Sequence, residues 1–376
     1  MKPKSSENSR SPQHVTRRDA LKTTVAAALA STASVAGLRS YEERNLVAQE
    51  AQNAAQNPQN GQAAQVDGRS GATRTSFNVK PRAKLNAKVP LARLGKDLVV
   101  SRVILGGNLI GGYAHARDLI YVSDLIKAYH TEQKCVETFM LAEECGINAF
   151  LGDWNQGQMM SNYWKWTDGK MKLISQCTDD PDVVKRTIDC GSAAVYPQGE
   201  TCDRLVREGK LDRLAQIVET IRDAGLPAGL GAHRVETLQA ALDFGIVPDF
   251  WMKTYHPLTY WSAQHPQEHD NVYCRRPDDT KAFMEARPEP WVAFKTLAAG
   301  AVSPQQGFRF ALDGGADFLC VGMYDFQIVD DINIYTDIAA NPSGARTRRA
   351  LPDVDRAEYE RKLEEAAEAA EAEADA

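Results

Sequence analysis

Between Val89 and Leu351 the chain repeats one pattern, in which a short apolar run is followed by a stretch with helical spacing of apolar positions. Such runs predict strands that are buried on both faces, and the intervening stretches predict covering helices. Eight runs occur, at Val103–Leu105, Ile147–Leu151, Met171–Ile174, Ala193–Tyr196, Ala228–Leu230, Phe250–Met252, Trp291–Phe294 and Phe318–Val321. Glycine, the usual helix stop signal, precedes several of them, at Gly146, Gly191, Gly245 and Gly315.

The stretch Gly225–Trp261 shows the repeat most clearly. A short apolar run closes in Gly231–His233, a helix pattern covers Val235–Phe244, and a second apolar run, Asp249–Met252, follows. Two parallel strands joined in this way need a crossover helix. Eight such units in roughly 250 residues, without a GxGxxG turn after the first strand, predict an α/β fold of the (β/α)8 TIM-barrel type. Polar residues at the carboxyl ends of the strands then lie on the face where barrel active sites form.

The first 36 residues have the order of an export signal: a basic part, then an apolar part, then small residues. Thr16–Lys22 resembles the twin-arginine motif, and the Ala-rich segment Thr23–Ala36 follows it. We therefore expect residues 1–36 to be a twin-arginine signal peptide, with the twin-arginine translocase as a partner. The resemblance implies a periplasmic protein that is exported already folded. The alternative is a basic, disordered N-terminus.

Composition shifts mark the edges of the predicted barrel domain, 89–351. Residues 37–88 are rich in Gln, Asn, Ala and Gly and predict a disordered linker. Residues 352–376 are rich in Glu and Ala, which predicts a solvated, charged C-terminal tail without an apolar stripe.

Net charge and cysteine usage exclude several classes of function. A net charge of -6 argues against general binding of nucleic acid. No apolar run of about 18 residues occurs, so we expect no permanent membrane span. The seven cysteines form no CxxC pair, which predicts neither a disulfide framework nor a structural zinc ribbon. A small molecule is the expected partner of the predicted barrel.

Several segments resemble the aldo/keto reductases. Leu91–Gly95 and Val100–Gly107 resemble the opening of that family, and Gly225–Leu258 is similar to its fifth and sixth strands. Phe294–Gly300 looks like part of its seventh unit. The resemblance spans nearly all of residues 91–340, and it implies an aldo/keto reductase-like barrel.

The catalytic residues that the resemblance implies are mostly not matched. The family uses an Asp and a Tyr after the second strand, a Lys after the third and a His after the fourth. Asp153 matches the Asp, but Ser175–Cys177 carries no Lys and Tyr196–Gln198 no His, while Gln158 and Met159 stand near the position of the Tyr. After the eighth strand, Gly322–Gln327 offers an acid and no base for the phosphate of NADPH. The sequence therefore argues against NADP(H) as the cofactor.

Two histidines end adjacent predicted strands, and they provide the candidate metal ligands. His233 follows the fifth strand and His256 the sixth, so the pair could share a divalent metal. The third ligand stays open among Asp153, Gln198, Glu200 and Cys202. Hydrogen-bonded structural histidines are the alternative.

Two lysines follow strongly apolar runs. Lys253 and Lys295 stand close to strand ends, where burial would lower the pKa of the amine and make it a base, a carbonyl polariser or a nucleophile. An ion-paired lysine with a buried stem is the alternative. Tyr255 is a candidate proton donor beside them. The predicted catalytic set is therefore Asp153, His233, Lys253, Tyr255, His256 and Lys295.

Three functions remain open. The favoured one is an exported barrel enzyme that acts on a carbonyl-bearing or sugar-like small molecule by acid/base chemistry, with or without a metal, as a lyase, isomerase or hydratase does. The second is an aldo/keto reductase exported with NADP(H) already bound. The third is a barrel that binds a ligand without catalysis.

Overall fold

A computed structural model describes residues 83–95, 97–113, 119–264 and 272–374. The predicted signal peptide, 1–36, lies outside these ranges, as does the predicted linker except for residues 83–88. The described residues fall within one compact unit, Lys80–Ala376. None of the described helices is long and apolar enough to cross a membrane.

The strands form one large sheet and one small one. A hairpin of β1 (Leu91–Arg93) and β2 (Val99–Ser101) precedes the large sheet. The large sheet has eight parallel strands: β3 (Val103–Gly106), β4 (Ala149–Asp153), β5 (Lys172–Cys177), β6 (Ser192–Pro197), β7 (Gly229–Ala232), β8 (Phe250–Thr254), β9 (Trp291–Phe294) and β10 (Phe318–Val321). Each of the eight predicted apolar runs overlaps one of them.

The order of strands is that of a closed barrel. The order β6-β5-β4-β3-β10-β9-β8-β7 places the first strand beside the last. The ring is completed between β6 and β7 by a parallel bridge from Val195 to Ala228, beside a 3.1 Å hydrogen bond from the Val195 N–H to the Pro227 oxygen. The predicted (β/α)8 TIM barrel is therefore confirmed.

Helices alternate with the strands, and most of them cover the outside of the barrel. They are α1 (Val122–Tyr129), α2 (Glu132–Glu144), α3 (Trp154–Trp166), α4 (Pro181–Asp189), α5 (Gly199–Arg207), α6 (Leu211–Asp223), α7 (Val235–Asp243), α8 (Pro277–Glu285), α9 (Pro304–Asp313), α10 (Asp325–Ala340) and α11 (Arg356–Ala374). The four glycines predicted as stop signals follow α2, α4, α7 and α9 with φ of 86°, 88°, 96° and 101°. A side chain is strained at such angles, which is why glycine stands there.

The core has two layers that follow the alternation of side chains along the strands. Inward residues such as Ile104, Phe250 and Met252 fill the barrel interior, together with Leu94 and Val100 of the hairpin. The hairpin leads directly into the start of β3, so it closes the N-terminal end of the barrel. Outward residues pack against the helices in a second, larger layer. With one end closed, the opposite end is left for a ligand.

The segment after α10 also packs on the closed end. Strand β11 (Asp353–Val354) pairs antiparallel with β1, and α11 follows it. Asp317, whose side chain is fully buried at the start of β10, accepts hydrogen bonds from Arg346 and Arg348. These buried pairs fix the chain at the end of the barrel that is remote from the cavity.

Candidate functional site

A cavity of about 880 Å³ opens at the carboxyl ends of the strands. Residues on or just after every one of the eight strands line it, among them Asn108, Asp153, Gln176, Gln198, His233, Met252, Lys295 and Gly322. Its volume lies within the range of small-molecule sites, and its position is the one at which barrel enzymes bind substrate.

His233 lies at the end of β7, held by a buried carboxylate. Oδ2 of Asp203, on α5, accepts hydrogen bonds from the backbone N–H of His233 (3.1 Å) and from its ring Nδ1 (3.0 Å). Oδ1 of Asp203 accepts a hydrogen bond from the Thr237 hydroxyl (2.6 Å). A carboxylate oxygen can only accept, so Nδ1 carries the proton and Nε2 keeps a lone pair. A methyl group on Gly199 would lie 2.9 Å from the ring, so glycine permits this packing.

The charge on Asp203 is stabilised by these contacts. Burial by itself raises the pKa of the carboxyl, but hydrogen bonds from His233, Thr237 and the backbone outweigh burial and hold that pKa below its ordinary value. The pair has the form in which a buried acid fixes the tautomer and orientation of a histidine that transfers protons.

Lys295 follows β9 and lines the same side of the cavity. Its amine lies 3.4 Å from the centroid of the Tyr273 ring, which is also 5.6 Å from the ring of His233. Burial lowers the pKa of Lys295 to about 8, although the negative charge of Glu200 acts in the opposite direction. A pKa near 8 leaves part of the amine neutral at physiological pH, as a nucleophile or base requires.

The backbone after β9 is strained where it meets the cavity. Lys295, Ala298 and Ala299 have φ of 56°, 44° and 56°, and they are the non-glycine residues with positive φ in the described chain. Such angles cost on the order of 1 kcal/mol or more each, and they cluster at functional sites. Thr296 lies in the same turn, 1% exposed, and its hydroxyl has no hydrogen-bond partner among the described residues.

Asp153 lies across the cavity at the end of β4. One carboxylate oxygen caps α3 by accepting from the Gln156 N–H, and the other lies 3.5 Å from the Tyr113 hydroxyl. The charge on Asp153 raises the pKa of Tyr113, which makes that hydroxyl a weaker acid than an ordinary tyrosine. Tyr113 comes from the loop after β3, so it contacts Asp153 from a different position than the family resemblance implies.

The structure places Lys253 behind the cavity rather than in its lining. Lys253 is 1% exposed, and its amine donates to the His233 oxygen (2.7 Å), the Thr254 oxygen (2.8 Å) and the Thr254 hydroxyl (2.9 Å). Burial lowers its pKa to about 8. With three acceptors around it, Lys253 fixes the backbone of His233 and does not face the space where a substrate would bind.

His256 does not fit the metal-ligand role predicted from the sequence. Its Nε2 accepts the N–H groups of Tyr273 (3.2 Å) and Cys274 (3.0 Å), and its Nδ1 donates to the Pro257 oxygen (3.0 Å). Both ring nitrogens are thus engaged, and burial lowers the pKa of the ring. His256 instead fixes the backbone of Tyr273, whose ring face contacts the amine of Lys295.

Tyr255 faces the helices on the outside of the barrel. Its ring, 2% exposed, stacks on Phe310 and contacts Trp291 edge to face. It is not part of the cavity lining. Packing against α9, rather than proton donation to a ligand, is the role that this position supports.

Among the described residues, one cluster of three metal-ligating side chains is close enough to hold a metal ion. It includes His233 but not His256. Ligand atoms of Glu200, Asp203 and His233 all lie within 4.8 Å of one another. The oxygens of Asp203 already accept hydrogen bonds from three residues. Cys202, another predicted ligand, is fully buried, and burial raises the pKa of its thiol well above the ordinary value. Of the predicted third ligands, Glu200 is the one that belongs to this cluster.

Sequence reasoning missed three of the groups that complete the site. Asp203 lies on a helix 30 residues before His233, and a separation of that length along the sequence does not predict their contact. Tyr273 lies in the long insert after β8, and Thr296 directly follows Lys295. A polar residue next to a strand-end lysine was a usable signal for Thr296, whereas the other two contacts depend on the folded chain.

Comparison with known proteins supports the fold. No protein-family model and no curated protein matches the sequence. A solved structure assigned as an aldo-keto reductase from Pseudomonas aeruginosa has a TM-score of 0.51 at 15% identity, covering 67% of this chain and 97% of its own. Another so assigned, from the same organism, has a TM-score of 0.50 at 16% identity, covering 68% and 99%. These likenesses, at such low identity, show that the chain has a (β/α)8 barrel fold like that of the aldo-keto reductases.

Proposed function

We propose that this protein is a barrel enzyme that transfers protons on a neutral, carbonyl-bearing small molecule, as lyases and isomerases do. One observation carries the proposal. A histidine oriented by a buried aspartate and a lysine of lowered pKa lie on the same side of the cavity, both against the ring of Tyr273. Titratable groups with distinct environments at the mouth of a barrel are typical of acid/base catalysis.

Each group has a separate role in this proposal. His233, with Nδ1 held by Asp203, removes or returns a proton through Nε2. Lys295 engages the carbonyl oxygen or carbon of the substrate. The neutrality of the substrate follows from the lining, because Asp153 and Glu200 would repel an anion.

The aldo/keto reductase fold implies NADP(H), and the residues present do not fit that cofactor. NADP(H) carries three phosphate groups, whereas the described lining offers one ammonium group, Lys295, together with two carboxylates. Lys134 of α2 lies beside the start of α10, but it is already paired there with Asp325 at 3.2 Å. This charge balance supports acid/base chemistry rather than hydride transfer.

A divalent metal is a second way to polarise a carbonyl at this site. Nε2 of His233 and the carboxylate of Glu200 are the groups that would hold it, because Asp203 is engaged by the backbone and by Thr237. Metal analysis of the purified protein, before and after dialysis against a chelator, tests this variant of the proposal. Activity that a chelator does not change would contradict it.

We also propose that the protein is exported to the periplasm through the twin-arginine route, on the basis of Thr16–Lys22. Replacing Arg17 and Arg18 by lysine should retain the protein in the cytoplasm. Equal periplasmic amounts of the double variant and the wild type, measured by cell fractionation, would contradict the proposal.

Deuterium exchange tests the proposed proton transfer without knowledge of the natural substrate. Dihydroxyacetone and 4-phenylbutan-2-one in D₂O should lose α-proton NMR signal when the protein is added. His233→Gln should slow this loss by about 100-fold or more, the usual contribution of a general base. Lys185→Met, on the exposed face of α4, is the control and should exchange at the wild-type rate. Exchange that is unchanged in His233→Gln would exclude the proposed role.

A further inference from the structure

The geometry points to Lys295 as a nucleophile that forms a covalent iminium with the carbonyl carbon of the substrate, with Thr296 binding an oxygen of that substrate. This inference rests on the proposed function and makes it more specific. It also names a substrate class: neutral ketones or aldehydes with an apolar portion.

The backbone presents Lys295 to the cavity at an energetic cost. Its φ of 56° lies in the left-handed region, which costs a non-glycine residue roughly 1–2 kcal/mol, and Ala298 and Ala299 in the same turn add to that cost. A lysine with a long, flexible side chain does not need a strained backbone merely to reach solvent. The strain is explained if the turn must bring both Lys295 and Thr296 to one ligand.

Thr296 provides independent evidence for a bound ligand. Thr296 belongs to the cavity lining, and its hydroxyl is buried and has no partner among the residues that the structure describes. Buried hydroxyl groups are nearly always hydrogen-bonded, since an unpaired one costs about 1–3 kcal/mol. An oxygen of a molecule attached to the neighbouring Lys295 would supply the missing partner.

The surroundings of the amine stabilise positive charge and also allow its neutral form. The face of Tyr273 and the charge of Glu200 stabilise positive charge at Lys295, and this applies to an iminium as well as to an ammonium. Burial opposes protonation, so the neutral amine is accessible near pH 8. The site therefore permits both the neutral amine and the charged adduct.

Formation of the iminium needs no oxidant or reductant and releases one water molecule. The neutral amine of Lys295 adds to the carbonyl carbon, which forms a C–N bond and breaks the π bond to oxygen, and a proton moves from nitrogen to that oxygen. His233 in its protonated form then gives a proton as the C–O bond breaks, water leaves, and the nitrogen lone pair forms C=N⁺. The neutral His233 is thereby ready to remove the α-proton from the iminium.

The opposite side of the cavity accounts for the apolar portion of the substrate. There, around β10, β3 and β4, the lining includes Leu109, Val122, Ile126, Trp154 and Tyr324. The ionisable groups on this side include the carboxylate of Asp153 and the nearby hydroxyl of Tyr113, whereas Glu200, His233 and Lys295 lie on the other side, after β6, β7 and β9. A molecule that fills the cavity with its carbonyl at Lys295 thus places apolar atoms against this wall.

Reductive trapping tests the inference on the full chain. The protein is incubated at pH 8 with 4-phenylbutan-2-one and sodium cyanoborohydride, and the modified lysines are mapped by mass spectrometry. We expect Lys295 to be modified at least tenfold more than exposed Lys185. This modification should be lost in both Lys295→Met and Lys295→Arg. With dihydroxyacetone in place of the phenyl ketone, the modification of Lys295 should be at least tenfold weaker. The alcohol 4-phenylbutan-2-ol, which lacks the carbonyl, should give none.

The outcomes separate this inference from the proposed function. If deuterium exchange depends on His233 but Lys295 is modified no faster than Lys185, the covalent inference is overturned and acid/base catalysis stands. If exchange does not depend on His233 either, both are overturned. Equal yields with dihydroxyacetone would overturn the assignment of an apolar substrate.

Discussion

The amine of Lys295 lies 3.4 Å from the centroid of the Tyr273 ring. At that distance a partly desolvated cation–π contact is worth about 1–2 kcal/mol, which favours the charged amine. Tyr273→Leu removes the ring face, so the pKa of Lys295 should fall by roughly one unit, whereas Tyr273→Phe should leave it within about 0.3 units. The pH dependence of Lys295 acetylation, followed by mass spectrometry, measures both. Identical profiles for the leucine and phenylalanine variants would show that the contact is incidental.

Asp203 should matter for stability and for proton transfer in separable ways. Asp203→Ala leaves the His233 N–H and the Thr237 hydroxyl without an acceptor, and we expect it to lower the free energy of unfolding by about 2–4 kcal/mol. Asp203→Asn keeps an acceptor oxygen, so it should cost less stability but still slow exchange by about tenfold or more, because an amide does not fix the histidine tautomer as firmly. Urea unfolding and exchange rates check the pair. Wild-type exchange in Asp203→Asn would contradict the orienting role.

Thr296→Val should affect stability and ligand binding in opposite directions. The hydroxyl is buried without a partner among the described residues, so its replacement by a methyl group of similar shape should stabilise the free protein by about 0–1 kcal/mol. The same change should reduce trapping at Lys295 by about fivefold, since the substrate oxygen loses its hydrogen bond. Thermal unfolding and trapping yield are measured on one preparation. A loss of stability above about 1 kcal/mol would show that the hydroxyl has a partner in the free protein.

Lys253 should make stability depend on pH in the alkaline range. Burial lowers its pKa from 10.5 to about 8, so between these values the unfolded chain binds a proton that the folded chain has released. Stability therefore rises with pH across this window, by up to about 3 kcal/mol from this one group. Relative to Lys253→Met, the wild type should gain roughly 2 kcal/mol between pH 7.5 and 9.5 in urea unfolding. A constant difference between the two proteins would contradict the lowered pKa.

The barrel could be predicted from the sequence because parallel strands that are buried on both faces consist of continuous apolar runs. Each of the eight predicted runs overlaps a strand of the barrel. The alternation of inward and outward side chains along β8 could also be predicted from the sequence. Phe250 and Met252 face the interior, so Trp251 and Tyr255 share the outer face, and counting from Met252 would have separated Tyr255 from the cavity.

The site was harder to predict because distance along the chain does not show which polar groups converge. His233, Lys295 and Asp153 line the cavity, whereas Lys253 and His256 lie behind it and hold the backbone of His233 and Tyr273. Counting from Met252 also places Lys253 on the outer face of β8, but strand-end position alone does not separate His256 from the residues that line the cavity. The distinction depends on how the turns after β7, β8 and β9 fold, and therefore on contacts such as that of Asp203 with His233.

A kinetic double-mutant comparison determines whether His233 and Lys295 act together on one substrate. Deuterium exchange into 4-phenylbutan-2-one is measured for wild type, His233→Gln, Lys295→Met and the double variant. Groups that act in one mechanism are strongly non-additive, so the double variant should be no more than about threefold slower than the slower single variant. A rate loss equal to the product of the two single losses would show that His233 and Lys295 act independently and would contradict a shared mechanism.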